Sequence, residues 1–185
     1  GDGLFNQSVL LDGMDEEIDR DTACTDLPYI EHMKTLASEP MDMGQNQFSV
    51  SYDIVVTNTG GATGTYGLND VPGFEDDIEI LEASYTSTAP GVTGGDLVIN
   101  TFPWELSSGI ELDAGDSHTY TITVKVEIDL SEGSDGDNTY DECESSETGE
   151  PAEGDGLFNQ SVLLDGMDEE IDRDTACTDL PYIEH

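Results

Sequence analysis

The strongest constraint on this chain is that it contains itself. Residues 1–32, GDGLFNQSVLLDGMDEEIDRDTACTDLPYIEH, recur without a change at 154–185, a period of 153 residues. Identity over that length does not arise by chance. A duplicated cloning segment would produce the same pattern, but a tandem array cut at an arbitrary phase explains it more simply. Solenoid repeats run at about 20–50 residues, whereas about 150 residues is the size of a domain with its own core. The expectation is beads on a string, with the chain an internal piece of something longer. Pro28 and Pro181 each follow a Cys-Thr-Asp-Leu turn and mark a natural boundary. Residues 1–28 then read as the C-terminal strands of a preceding repeat, 29–181 as one complete domain, and 182–185 as the start of the next.

Charge narrows the function classes. The chain has 43 Asp+Glu against 4 Lys+Arg, a formal charge of −39, and its cations are Arg20, Lys34, Lys125 and Arg173. Phosphate recognition needs clustered cations, so a nucleic-acid binder and an anionic membrane surface are both excluded. The hydrophobic fraction of 35% is below the usual globular range, yet the apolar residues fall in patterned segments, so a core is expected. No apolar run approaches the ~20 residues of a spanning helix, and Gly1 opens no signal-peptide pattern.

The patterning is that of strands. FSVSYDIVV (48–56) places Phe48, Val50, Tyr52, Ile54 and Val56 on one parity, and HTYTITVKVEIDL (118–130) does the same with Tyr120, Ile122, Val124, Val126 and Ile128. Period two over such lengths reads as half-buried strand. Residues 78–87, short pieces at Leu97–Ile99 and Ile110–Leu112, and LFNQSVLL (157–164) add further strands, separated by Gly-, Pro- and Asn-rich turns. No segment shows sustained helical periodicity. Seven or more strands at this spacing predict an all-β, immunoglobulin-like two-sheet sandwich.

Tyr52-Asp-Ile54-Val-Val56-Thr-Asn58-Thr-Gly60 resembles the Y-x-I-x-V-x-N-x-G strand of an Ig-like conserved-repeat family, a domain of unknown function in bacterial cell-surface proteins. Leu68-Asn69-Asp70-Val71-Pro72-Gly73, Ala114-Gly115-Asp116-Ser117 and Gly156-Leu-Phe-Asn159-Gln-Ser161 are similar to its later motifs. The Asp–Pro spacing is one residue shorter, and Pro is absent from the Ala-Gly turn. The likeness spans roughly 30–181. It implies tandem extracellular stalks, adhesins or fibres without catalysis on other molecules.

Cys24 and Cys177 are one repeat position seen twice, which leaves two cysteines per repeat. A Cys143–Cys177 disulfide is expected, and it implies an oxidising, extracellular location. Asp165, Asp168, Glu170, Asp172 and Asp174 crowd a ten-residue run, and Asp135–Glu142 is a second acidic stretch. A hard cation such as calcium relieves such repulsion through oxygen ligands, although the spacing is not that of an EF-hand. A solvated acidic surface that keeps a fibre soluble is the other reading.

Lys34 shares parity with Ile30 and Leu36 and so points inward, whereas Lys125 has outward parity in its strand. A buried, unpaired ammonium is costly. The chain also resembles collagen-adhesin and pilin domains, in which a first-strand Lys bonds covalently to a last-strand Asn beside a buried acid. That resemblance implies Lys34, Asp70 and Asn159 as an isopeptide set; the alternative is an ordinary Lys34–Asp70 ion pair. Asn6 and Asn159 both open N-glycosylation sequons, and Asn159 cannot serve both roles. His32 and His185 are placed at a linker, His118 at a strand start, and Trp104 in the core or plugging a sheet edge. The functional expectation is a structural repeat of an extracellular fibre or adhesin stalk, whose partners are copies of itself and whose 1–32 segment could complete a neighbour's sandwich. The rival is a carbohydrate- or protein-binding surface module using Gly91–Gly95 or Trp104. An enzyme is disfavoured because no nucleophile–base pair or catalytic metal set is visible.

Overall fold

The computed structural model of the chain describes residues 3–75, 77–129, 143 and 156–181. Every regular element among them is a strand. In chain order these are β1 (Leu4–Leu11), β2 (Glu17–Thr25), β3 (Ile30–Gly44), β4 (Gln47–Asn58), β5 (Gly64–Pro72), β6 (Ile78–Ser87), β7 (Gly95–Asp96), β8 (Trp104–Leu112), β9 (Ser117–Ile128), β10 (Asn159–Asp165) and β11 (Glu170–Ala176). They form a five-stranded sheet in the order β3-β4-β9-β6-β7, a four-stranded sheet in the order β11-β10-β5-β8, and a separate β1-β2 hairpin. The two larger sheets are the Ig-like sandwich that the sequence predicts.

Alternation builds the core. Along β4 the side chains from Phe48 to Val56 on one parity are buried, and β9 matches them with Tyr120 to Ile128. The two strands pair antiparallel with Tyr52 opposite Ile122. Tyr66 and Leu68 of β5, Leu106 and Leu112 of β8, and Leu163 of β10 complete the packing from the facing sheet. Trp104 is buried too, its indole N–H donating to the Val98 carbonyl at 3.0 Å.

Asn58, last residue of the Y-x-I-x-V-x-N motif, organises one end of the sandwich. Its amide nitrogen donates to the carbonyls of Ala62 and Leu112 at 2.8 and 2.9 Å, and its oxygen accepts from the backbone of Tyr29 and Gly60 at 3.1 Å each. The Leu27–Tyr29 linker is therefore fastened to the β4–β5 turn, with Thr59 N–H donating to Tyr29 O and Gly61 N–H to Leu27 O. Gly60 is needed there, because a Cβ would stand 2.3 Å from the Tyr29 nitrogen.

Three local differences from the sequence expectation have simple causes. Leu97–Ile99 is not strand; the short edge strand β7 lies just before it. His32 sits inside β3 rather than in a linker, since β3 begins two residues earlier. The acidic run is a hairpin: β10 ends at Asp165, Asp168 takes the left-handed conformation (φ 62°) in the turn, and β11 follows. Asp135–Glu142 and residues 182–185 lie outside the described residues.

Candidate functional site

Two contacts fix how β3 and the β10–β11 hairpin meet. The Lys34 backbone N–H donates to the Asp174 carboxylate at 2.7 Å, and the His32 Nδ1 lies 3.2 Å from Asp172. β11 therefore runs beside β3 in the same direction. β10 pairs antiparallel with β11, so it runs opposite to β3. Across the sandwich, His32 Nε2 meets Ser161 Oγ at 2.9 Å. Two residues further along β3 comes Lys34, and two residues back along β10 comes Asn159. The arrangement that sets His32 at Ser161 thus sets Lys34 towards Asn159.

Asp70 arrives from β5. Its register partner on β10 is Ser161, while Asn159 stands opposite Pro72. Asp70 and Asn159 are diagonal neighbours on one inward face, a separation that side chains span. The Lys34 Nζ donates to Asp70 Oδ2 in a very short contact, and both side chains are wholly removed from solvent. The Tyr52 ring lies 5.4 Å from Nζ, and its hydroxyl donates to the Leu157 carbonyl at 2.6 Å. Asn159 is completely buried. Its amide lies beside Asp70 and helps hold that carboxylate's charge, yet neither Oδ1 nor Nδ2 reaches a partner with hydrogen-bonding geometry, and Asp70 Oδ1 is likewise unmatched. A buried amide with neither atom satisfied is a rare and costly arrangement.

Burial dominates the electrostatics. It lowers the Lys34 ammonium from its ordinary value, with attraction to Asp70 opposing that shift, and it raises the Asp70 carboxyl, with Lys34 opposing. Both shifts favour the same tautomer: a neutral amine facing a protonated acid. Moving one proton from Lys34 to Asp70 leaves the total proton count unchanged and removes both charges from a dry site. The site can thus present a nucleophilic nitrogen and a proton donor next to an unengaged amide.

The other sequence candidates are placed as follows. Cys143 and Cys177 are joined in a disulfide, with Cα atoms 6.0 Å apart, and the Cys143 N–H donates to Asp179. The five acidic candidates of the hairpin are distributed rather than convergent. Asp165 accepts from the backbone of Met167 and Glu169, Glu170 forms a two-pronged pair with Arg173, Asp172 faces His32, and Asp174 accepts from Lys34 and Thr175; Asp168 lies at the turn. Among the described residues no group of three or more His, Cys, Asp or Glu side chains is gathered as a metal site. Asn159 is buried and Asn6 exposed, so of the two sequons only Asn6 offers its side chain to solvent in this fold.

Sequence reasoning missed a buried polar chain: Tyr66 Oη contacts His118 Nδ1 and Tyr120 Oη at 2.8 Å each, and Tyr120 Oη donates to Ser107 Oγ at 2.9 Å. Burial pushes the Tyr66 hydroxyl well up and the His118 imidazole down. The signal was present in the parity of Tyr66, His118 and Tyr120, but parity places side chains without naming their partners.

No family model matches the chain and no curated protein matches it, so the conserved-repeat resemblance rests on the motifs alone. Among solved structures, the chain is similar to AvmM, which catalyses macrocyclization in alchivemycin A biosynthesis. The identity is 12% and the TM-score 0.41, over 85% of this chain and 90% of that one. It is also similar to BcpA, the major pilin subunit of Bacillus cereus, at 10% identity and a TM-score of 0.30. That likeness covers 94% of this chain and 48% of the pilin chain.

Proposed function

We propose that this domain is a structural module of an extracellular tandem array, built to carry tension. Its first and last core strands are tied through the interior by a Lys34–Asn159 isopeptide bond. The observation that carries the reading is the Lys34, Asp70 and Asn159 constellation: three wholly buried polar side chains, from three strands and both sheets, with the amide left unsatisfied. The Nζ lone pair attacks the Asn159 Cγ, forming the C–N bond. The protonated Asp70 gives its proton to Nδ2 and takes one from the attacking nitrogen, the Cγ–Nδ2 bond breaks, and ammonia leaves with Asp70 protonated as it began. The product amide is neutral, which removes the buried charge and the orphaned amide together.

The disulfide supports the location, since such bonds persist in oxidising compartments outside the cytosol. The surplus of carboxylates suits a long exposed fibre that must stay soluble. Intact mass is the test. Bond formation lowers the mass by about 17 Da through loss of ammonia, Asp70→Ala restores it, and Lys125→Ala leaves the loss in place. A wild-type mass without the deficit refutes the covalent tie.

A further inference from the structure

The two identical segments have opposite fates. β10 and β11 are integral to the four-stranded sheet, while β1 and β2 form the same hairpin, with the same register and the same irregularity after Leu10 and Leu163, attached to neither large sheet. Leu4, Phe5 and Leu10 are 59%, 65% and 57% exposed; their counterparts Leu157, Phe158 and Leu163 are 0%, 2% and 0% exposed. The apolar face of the first hairpin is thus made for a slot that the second hairpin shows in detail.

That slot cannot belong to the sandwich that follows. Seated as β11 is, Asp21 would lie at Lys34, where Asp174 lies, and Thr25 would lie near Glu39, which Thr178 contacts at 3.2 Å. From there the chain would have to return to Ile30, about 30 Å back along β3 at 3.3 Å per residue. The five residue steps from Thr25 to Ile30 span about 18 Å at most. The linker is also already hydrogen-bonded at the Asn58 end of the sandwich.

We infer that the hairpin Leu4–Thr25 is the closing element of a second copy of this sandwich, occupying there the place that β10–β11 occupies here. Asn6 would then stand at that copy's lysine and aspartate, and Cys24, exposed and unbonded in this chain, would meet its equivalent of Cys143. Each sandwich is closed by the hairpin that follows it, which leads directly into the next sandwich at the opposite pole. The placement does not depend on the Lys34–Asn159 bond.

The test uses two copies of the whole chain and reads the Cys24–Cys143 link. Cys177→Ser leaves Cys143 without its partner in the same molecule, and Asn159→Ala, carried in every variant, removes the Lys34 tie so that the resident hairpin can be displaced. In a glutathione disulfide buffer, which accepts the two electrons and two protons and becomes two glutathiones, a hairpin seated in another molecule is captured as a reducible Cys24–Cys143 multimer. Mass spectrometry of non-reduced peptides identifies the link. Concentrated protein is needed, because the tethered hairpin competes at an effective concentration in the millimolar range. Adding Leu10→Asp should cut the yield about tenfold or more, the effect of failing to bury one Leu. Adding Leu163→Asp instead, which disables the competitor, should raise it. Should the Leu163→Asp chain fail to fold, the Cys177→Ser pair with and without Leu10→Asp still decides. Equal yields from that pair, or Cys24–Cys24 links alone, overturn the inference.

Discussion

Asn159→Ala separates the covalent and non-covalent accounts by magnitude. In the non-covalent account Asn159 makes no hydrogen bond with good geometry, so truncation removes an unsatisfied amide and leaves the Lys34–Asp70 pair intact. The remaining cost is a small cavity, about 1 kcal/mol for a group of some 40 Å³. In the covalent account the substitution opens a loop running from Lys34 to Asn159, about 125 residues, whose closure is worth about 5 kcal/mol by the chain-entropy relation. For a domain of this size that corresponds to a midpoint lower by about 10–20 °C. The expected result is the larger loss, with a steeper guanidinium dependence because the untied chain exposes more surface on unfolding. Equilibrium unfolding of wild type and variant at matched oxidation state measures both quantities. A loss near 1 kcal/mol with an unchanged slope would refute the reasoning.

Lys34→Met leaves Asp70 buried without its cation, and the carboxyl, already raised by burial, should rise further. A raised carboxyl contributes stability that is fully present below its unfolded value and lost as pH climbs through its folded value. Thermal scans of this variant should therefore lose stability with rising pH, and Lys34→Met/Asp70→Leu should remove that component. Replacing both Cys143 and Cys177 by Ser opens a 34-residue separation and should cost about 4 kcal/mol; an unchanged unfolding midpoint would show that the bridge constrains nothing. Because most of the hairpin carboxylates already have partners, a chelator should leave the thermal midpoint unchanged. A drop on chelation, reversed by calcium, would establish a cation among Asp165, Asp168, Glu170, Asp172 and Asp174.

The sandwich was legible because β4 and β9 alternate without a fault over most of their length, and a one-residue slip would reverse every side chain. β3 was harder to read: its pairing with β4 shifts register near Ser38, Met41 and Gly44, which breaks the period that a sequence shows. Lys34 could be placed inward by parity and scarcity, and Asp70 by parity with Tyr66 and Leu68. His32 could not be read, because its contacts with Ser161 and Asp172 lie well over a hundred residues away in sequence. β11 did not read as a strand because its carboxylates hide the alternation. Only the structure shows Arg173 pairing with Glu170 and Asp174 capping the Lys34 amide.

The position of β10–β11 at the end of the period has a consequence for folding order. A sandwich that waits for its last hairpin stays open on one side while some fifty residues are made after β9, which takes several seconds at about 5–20 residues per second. During that interval the inward faces of Tyr66, Leu68 and Tyr52, and the edge of β5 that β10 will cover, are offered to any neighbouring chain. Exposed edges and apolar faces of this kind drive aggregation. Nascent copies that each carry a large excess of negative charge repel one another at close range. The acidity that looks like decoration on the finished bead thus also guards the unfinished one, holding strangers off the slot until the tethered hairpin arrives.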